Sequence, residues 1–143
     1  MKEQFITINF PTIPPNELRL GNWFKWCSLA SMGRGYAQIQ HAHYIEAYAQ
    51  FKEPIPLTQD ILLKCGFIYD DNEECYVLEL ENGTAFSHII EGITHYWSDY
   101  EAMWVDIKQE IKYLHQLQNL IYSITGQELI VKLPTIPNDP LPI

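Results

Sequence analysis

Residues 76–90 have the sequence YVLELENGTAFSHII, and this stretch decides the fold class. Apolar and polar side chains alternate on both sides of an Asn-Gly dipeptide, which favours the tight turn of a β-hairpin. Residues 76–80 and 84–90 are therefore predicted to pair as antiparallel strands. The same turn spells a glycosylation sequon, but a hairpin is the simpler interpretation.

Two helices are predicted around this hairpin. Thr58 is a candidate N-cap and Gly66 a candidate C-terminal stop, so a short helix is expected over 58–65. A longer helix is predicted over 106–125, since apolar residues recur at helical spacing before Gly126. The apolar stripe that is expected to cover a sheet consists of Ile107, Ile111, Leu114, Leu117, Ile121 and Ile124.

Further strands are predicted from β-branched and aromatic residues. A terminal strand is expected at 5–10, and two strands joined by a glycine-bearing loop are expected at 18–27 and 36–51. Within the last of these, 42–49 also fits helical spacing. Residues 93–105 predict one further strand or an aromatic loop.

Together these elements predict a single α+β domain over residues 1–143. Its core is expected to be a bent antiparallel sheet, with an SH3-like barrel as an alternative for the first half, packed by the two helices. A short strand candidate at 128–133 follows the long helix. Proline-rich segments at 11–15 and 134–143 are expected to be extended arms. Because such arms need a groove on their own body or on a second copy, self-association through the termini is also expected.

The composition predicts an acidic, cytoplasmic protein. Its formal net charge of -9 repels phosphate backbones and anionic membrane surfaces, which argues against generic nucleic-acid or membrane binding. A net negative charge is commonly a means of keeping a protein soluble, and an acidic face that docks on a basic host protein is the sharper alternative. Cys27, Cys65 and Cys75 lack the spacing of a zinc site or a redox pair, and neither a signal peptide nor a membrane span is expected.

No local pattern assembles a catalytic centre. His41 and His43 are spaced to share one face of a strand, but the cupin motif that they approach is incomplete. His88, His95 and His115 have no nucleophile placed beside them by the local sequence, and no phosphate-binding glycine loop is present. The sequence therefore predicts no metal, no cofactor and no enzymatic activity.

Candidate binding residues are aromatic, basic or amide side chains. The aromatic residues suit a core, and they also suit a stacking pocket in which an arginine meets a phosphate. The amide-rich flank of the long helix suits a partner surface. The candidates are Trp23, Trp26, Arg34, Tyr96, Trp97, Trp104, His115, Gln116 and Asn119.

Three stretches share an order and a spacing: ELRLGNW at 17–23, PIPLT at 54–58 and IKYLHQLQNLIYSITGQEL at 111–129. In these stretches the chain resembles a family of small proteins encoded by phages and prophages of gut bacteria in the Bacteroides group. The resemblance implies a viral origin and an accessory role during infection. It implies no enzymatic chemistry that could be carried across to residues of this chain.

The function expected from the sequence is that of a non-enzymatic phage accessory protein, which binds a host or phage protein in the host cytoplasm. A first alternative is sequestration of a nucleotide-like ligand in an aromatic pocket, as an anti-defence protein, which requires at least one of Arg19, Lys25 or Arg34 beside the aromatic residues. Further alternatives are a virion or assembly component, and a small hydrolase or metal enzyme. Protein binding requires an acidic or amide-rich surface.

Overall fold

The computed structural model describes residues 12–26, 35–81, 83–88, 94–98 and 101–134. These residues form two α-helices and two antiparallel sheets, so the predicted α+β class is confirmed. The chain divides into two compact units, one of Met1–Ile55 with Pro134–Ile143 and one of Pro56–Leu133. The single-domain organisation stays a prediction.

The first unit contains a three-stranded antiparallel sheet. Strand β1 (Trp23–Trp26) lies between β2 (Gly35–Gln38) and β3 (Lys52–Glu53). Both neighbours pair with β1 alone, so the described strands form an open sheet and not a closed barrel. The SH3-like alternative for the first half is therefore wrong for the residues that the structure describes.

The core of the first unit forms around two aromatic side chains of β1. The rings of Phe24 and Trp26 pack edge to face with centroids 4.8 Å apart, while Lys25 between them is exposed. Trp23 is buried as well, so three of the four side chains of β1 are buried. Ile13 belongs to the same core, and its N–H donates a hydrogen bond to the Lys52 carbonyl at 3.0 Å. The described part of the first proline-rich segment thus packs on its own unit.

The predicted strand at 36–51 ends early. After β2 the chain forms two 3-10 turns, Ala42–Tyr44 and Ala49–Phe51, before it reaches β3. Tyr48 has a φ of 59°, a left-handed conformation that interrupts an extended strand. The predicted strand at 5–10 and the proline-rich tail beyond Pro134 lie outside the described residues.

The second unit contains a five-stranded antiparallel sheet whose strands follow one another in chain order. They are β4 (Ile68–Asp70), β5 (Cys75–Glu79), β6 (Ala85–His88), β7 (Thr94–Ser98) and β8 (Met103–Ile107). The predicted hairpin is confirmed, because β5 pairs with β6 across a turn in which Gly83 has a φ of 91°.

Three strands of this sheet differ from the prediction. Strand β4 is not predicted, because three residues are too few to show an alternation. Residues 93–105 predict one strand or a loop, whereas β7 and β8 are two strands that pair with each other.

The strand predicted at residues 128–133 is not formed within the described chain. The Lys132 N–H donates a hydrogen bond to the Lys64 carbonyl instead.

The short helix α1 (Gln59–Lys64) lies where the sequence predicts it. The Thr58 hydroxyl accepts a hydrogen bond from the Ile61 N–H at 3.3 Å, as an N-cap does. Gly66 follows the helix with a φ of 94°, a conformation that side chains with a Cβ rarely adopt.

The long helix α2 (Leu114–Thr125) ends at Gly126 as predicted, but its predicted start at residue 106 is wrong. Asp106 and Ile107 belong to β8, where they pair with His95 and Thr94. The helix begins after Tyr113. Its buried stripe includes Leu114, Leu117 and Ile121. No helix among the described residues has the length and apolarity needed to cross a membrane.

Candidate binding face of the five-stranded sheet

The pairing register decides which side chains share a face of the five-stranded sheet, because directly opposed residues on antiparallel strands point to the same side. The inner face carries the buried side chains of Tyr76, Leu78, Phe86, His88 and Thr94. The open face carries Ile68, Asp70, Cys75, Val77, Glu79, Ala85, Ser87, His95, Trp97, Trp104 and Asp106.

The open face is acidic. The acidic residues of the five strands are Asp70, Glu79 and Asp106, and all of them lie on this face. None of the five strands, as the structure describes them, contains a lysine or an arginine. The electrostatic field of the open face therefore attracts cations and repels anions.

A cavity of about 450 Å³ lies on the open face. Small side chains lie at its bottom, where Cys75 and Ser87 are each 7% exposed. It is also lined by Asp70, Glu73, Val77, Glu79, His95 and Trp104. The Ser87 hydroxyl lines this cavity and hydrogen-bonds to no other residue in the described part of the chain.

Carboxylates of the cavity influence the pKa of the Cys75 thiol at its bottom. The pKa of Cys75 is raised, first by burial and then by the negative charges of Asp70 and Glu73. Asp70 is held in place by its own turn, because its Oδ1 accepts hydrogen bonds from the N–H groups of Asn72 at 2.9 Å and Glu73 at 3.3 Å. The cavity is thus a negative site with an oriented carboxylate.

Ser87, His95 and Asp106 form one row across three neighbouring strands. These are the residue types of a hydrolase triad. The strand register, and not the local sequence, places Ser87 beside His95. Among the described residues, however, no hydrogen bond joins the Ser87 hydroxyl to the imidazole or the imidazole to the carboxylate. The row contains the parts of a nucleophile–base pair without the contacts that would activate the serine.

The predicted aromatic pocket near β1 is not formed by the described residues. Trp23 is buried, and Trp26 has no exposed surface, so no ligand can stack on the Trp26 ring in this structure. Arg34 lies outside the described residues. Of the two other predicted cations, Lys25 is exposed and Arg19 is half-buried beside its own turn, where it donates to the Leu20 carbonyl.

The later aromatic candidates separate onto two faces. Trp97 and Trp104 lie opposite each other on the open face, with ring centroids 5.5 Å apart in an edge-to-face arrangement. Tyr96 is paired with Phe86 and Val105 on the inner face. The structure therefore brings two of these three aromatic residues to the acidic cavity or its border.

The predicted amide-rich flank of α2 is engaged within the chain. His115 is buried and its ring stacks on Tyr113, with centroids 6.1 Å apart. The Gln116 side-chain oxygen accepts hydrogen bonds from the N–H groups of Lys112 and Tyr113 and so caps the helix. Asn119 is half-buried.

His41 and His43 lie at a 3-10 turn and not on a strand, and their rings stack with centroids 6.0 Å apart. Over the described ranges, no three side chains among His, Cys, Asp and Glu come together in a way that could hold a metal ion.

Sequence reasoning missed the acidic cavity. Alternation in the hairpin places Val77 and Glu79 on one face, which is the one signal that local sequence contains. The other members come from a turn and from separate strands, so only the register brings them together. No protein-family model, curated protein or solved structure matches this chain.

Proposed function

We propose that this protein acts by binding a partner protein, and that the open face contacts a basic, extended segment of that partner. The observation that carries the proposal is the grouping of Asp70, Glu73 and Glu79 around a cavity whose described lining residues include no lysine or arginine. A cationic side chain placed there meets opposite charge from several directions.

Arginine fits this cavity better than lysine does. A guanidinium group can donate two parallel hydrogen bonds to one carboxylate and can also stack on an aromatic face such as that of Trp104. The Ser87 hydroxyl offers a further acceptor at the bottom of the cavity. Opposite charge on the two partners also speeds their encounter, which suits a small protein that must find its target in a crowded cell.

The same lining disfavours the nucleotide-like ligand. Phosphate groups would meet carboxylates in this cavity, and among the described residues that line it there is no lysine or arginine to offset them. The resemblance to phage-encoded proteins supports a host or phage protein as the partner, met in the cytoplasm of an infected cell.

The proposal is tested with a dye-labelled peptide in which several arginines are separated by glycine and serine. Fluorescence anisotropy measures its affinity beside that of the same peptide with glutamine at each arginine. The arginine peptide should bind, and its affinity should fall as salt is raised. Equal affinity for both peptides would exclude a cation-binding face.

A matched pair of variants separates the cavity from net charge. Glu73→Gln with Glu79→Gln should weaken binding about tenfold, since each charge contact contributes ~0.2–1 kcal/mol. Asp60→Asn with Glu110→Gln removes the same charge from exposed positions outside the cavity and should change the affinity less than about twofold. Equal losses in both double variants would contradict the assignment to the open face.

A further inference from the structure

Ser87 carries a buried hydroxyl group that no other described residue satisfies. It lies at the bottom of the acidic cavity and is 7% exposed, and its hydroxyl forms no hydrogen bond within the described ranges. A buried polar group without a partner is costly, and an apolar side chain of similar size avoids that cost. The hydroxyl therefore points to a ligand whose hydrogen-bond donor reaches the bottom of the cavity.

The strand register places Ser87 among the other residues that line this cavity. Val77 opposes it on β5 and His95 opposes it on β7, and both line the cavity. Glu79 lies two residues after Val77 on β5, so it is a diagonal neighbour of Ser87 on the open face. Diagonal neighbours on paired strands are within reach of a long side chain such as glutamate. One planar ligand group with several donors can therefore contact a carboxylate and the hydroxyl together.

Resting on the function proposed above, we infer that Ser87 makes the cavity specific for an unmethylated arginine side chain of the partner. The guanidinium group enters end-on, and one terminal N–H donates a hydrogen bond to the Ser87 hydroxyl. The other N–H groups donate to carboxylates that line the cavity, among them that of Glu79. Trp104 lines the same cavity and supplies an aromatic side chain on which the guanidinium plane can stack.

A lysine ammonium group fits this arrangement less well. It is more strongly hydrated than a guanidinium group, and the bottom of the cavity, where Cys75 and Ser87 are each 7% exposed, gives little access to water. Its donors also radiate from one atom, whereas a guanidinium group spreads five N–H groups over a plane. Methylated arginine keeps the charge but has methyl groups in place of terminal donors. Both ligands are therefore expected to leave the Ser87 hydroxyl without a good donor and to bind more weakly.

The selectivity is tested with three peptides in a glycine-serine background that differ only in one central residue, which is arginine, lysine or asymmetrically dimethylated arginine. A peptide with glutamine at that position is the uncharged control. Chemical-shift titration of the whole protein measures the affinities, because it also resolves weak binding. The arginine peptide is expected to bind at least about fivefold more tightly than the lysine and dimethylarginine peptides.

The Ser87→Ala variant removes the acceptor and should erase this selectivity. The arginine peptide should lose about fivefold in affinity, whereas the lysine and dimethylarginine peptides should stay within about twofold of their wild-type values. Denaturant unfolding separates a binding role from a structural one. Because the hydroxyl bonds to no described residue, Ser87→Ala should be at least as stable as the wild type.

Ser123→Ala is the matched control for the loss of a serine hydroxyl. Ser123 is exposed on α2, where its hydroxyl donates a hydrogen bond to the Leu120 carbonyl, and it does not line the cavity. This variant should leave all three affinities within about twofold of the wild type.

The outcomes separate this inference from the proposed function. If the arginine and lysine peptides bind equally, and Glu73→Gln with Glu79→Gln weakens both, the open face binds cations but does not select a guanidinium group. Equal losses of all three peptides in Ser87→Ala, or a clear loss of stability in that variant, would overturn the role assigned to the hydroxyl. If no charged peptide binds more tightly than the glutamine peptide, both the inference and the proposed function fail.

Discussion

The ammonium group of Lys52 lies 5.8 Å from the centroid of the Phe24 ring, inside the core of the first unit. The Lys52 side chain has no exposed surface, and its Nζ donates a hydrogen bond to the Ala47 carbonyl. Burial lowers the pKa of Lys52 from 10.5 to about 8. The fold therefore contains a buried cation that is costly to desolvate.

Replacing this cation by an apolar side chain should stabilise the protein. Below about pH 8 Lys52 is charged in both the folded and the unfolded state, and the folded state carries the full cost of removing the charged ammonium group from water. Between about pH 8 and 10.5 the folded protein loses the proton first, so the free energy of unfolding rises with pH by roughly 3 kcal/mol. Lys52→Met should gain about 1–3 kcal/mol at pH 7 and should lack this rise.

Denaturant unfolding of the wild type and the variant at pH 7 and pH 10 measures both effects. Lys25→Met is the matched control, since Lys25 is an exposed lysine on a strand that pairs with β3. It should change the free energy of unfolding by less than about 0.5 kcal/mol. A Lys52→Met protein that is less stable than wild type at pH 7 would contradict the prediction.

His88 should make the protein sensitive to mild acid. Its ring is buried on the inner face, and a 2.8 Å hydrogen bond joins Nδ1 to the Thr94 hydroxyl. Burial lowers the pKa of His88, so the unfolded chain takes up a proton more readily than the folded protein does. The stability contributed by neutral His88 is therefore present above pH 6.5 and is lost as pH falls below it.

A non-titrating His88→Gln variant should show a flatter dependence of unfolding free energy between pH 7 and pH 5, at a cost of about 1–2 kcal/mol at pH 7. Thr94→Val removes the hydrogen bond, costs about 1 kcal/mol, and should keep the pH dependence because His88 still titrates. Parallel curves for wild type and His88→Gln would show that another group is responsible.

Gln116 should matter for folding more than for binding. Its side-chain oxygen accepts the N–H groups of Lys112 at 2.8 Å and Tyr113 at 3.1 Å, where α2 begins. Gln116→Ala should lower the free energy of unfolding by about 1 kcal/mol, whereas Gln116→Glu keeps the acceptor and should cost little. Thermal unfolding followed by circular dichroism compares the two. Equal stability of Gln116→Ala and wild type would show that this cap is dispensable.

The two described cysteines should differ in their reactivity towards thiol reagents. Burial raises the pKa of Cys65 to about 12, so this thiol should stay unmodified in the folded protein at pH 8. Cys75 lines the acidic cavity, so a cationic methanethiosulfonate should react with it at least about threefold faster than an anionic one, after normalisation to a small free thiol.

Mass spectrometry of digested protein locates each label. The cationic preference at Cys75 should fall when Glu73 and Glu79 are both changed to glutamine, since their charges produce it. No preference in the wild type would show that the cavity lacks the negative potential assigned to it.

Features decided within a few residues are predictable from this sequence. The cap at Thr58, the stop at Gly66 and the hairpin turn at Gly83 each depend on hydrogen bonds and backbone angles that neighbouring residues determine. The two-residue repeat of a strand also places Phe24 and Trp26 on one face, but which face is buried depends on the sheet that the strand joins.

The start of α2 was predicted wrongly because the residues at the expected start pair with a strand that is distant in the sequence. Ile107 has helical spacing to Ile111, but it pairs with Thr94, and Asp106 beside it pairs with His95. Backbone hydrogen bonds to another strand therefore outweigh a local apolar period. A neutral amide, Gln116, sets where the helix begins, and this contact is visible only once the turn before the helix is built.

The acidic open face could not have been predicted at all from local patterns. The sequence alone determines that Val77 and Glu79 share a face, and that the chain carries an excess of carboxylates. Whether Asp70, Ser87 and Asp106 join them depends on the register of five strands, and a slip of one residue on any strand would turn its side chains to the opposite face. Local sequence thus determines strands, caps and turns, whereas the register between strands in the tertiary structure alone decides which charged side chains lie on the same face.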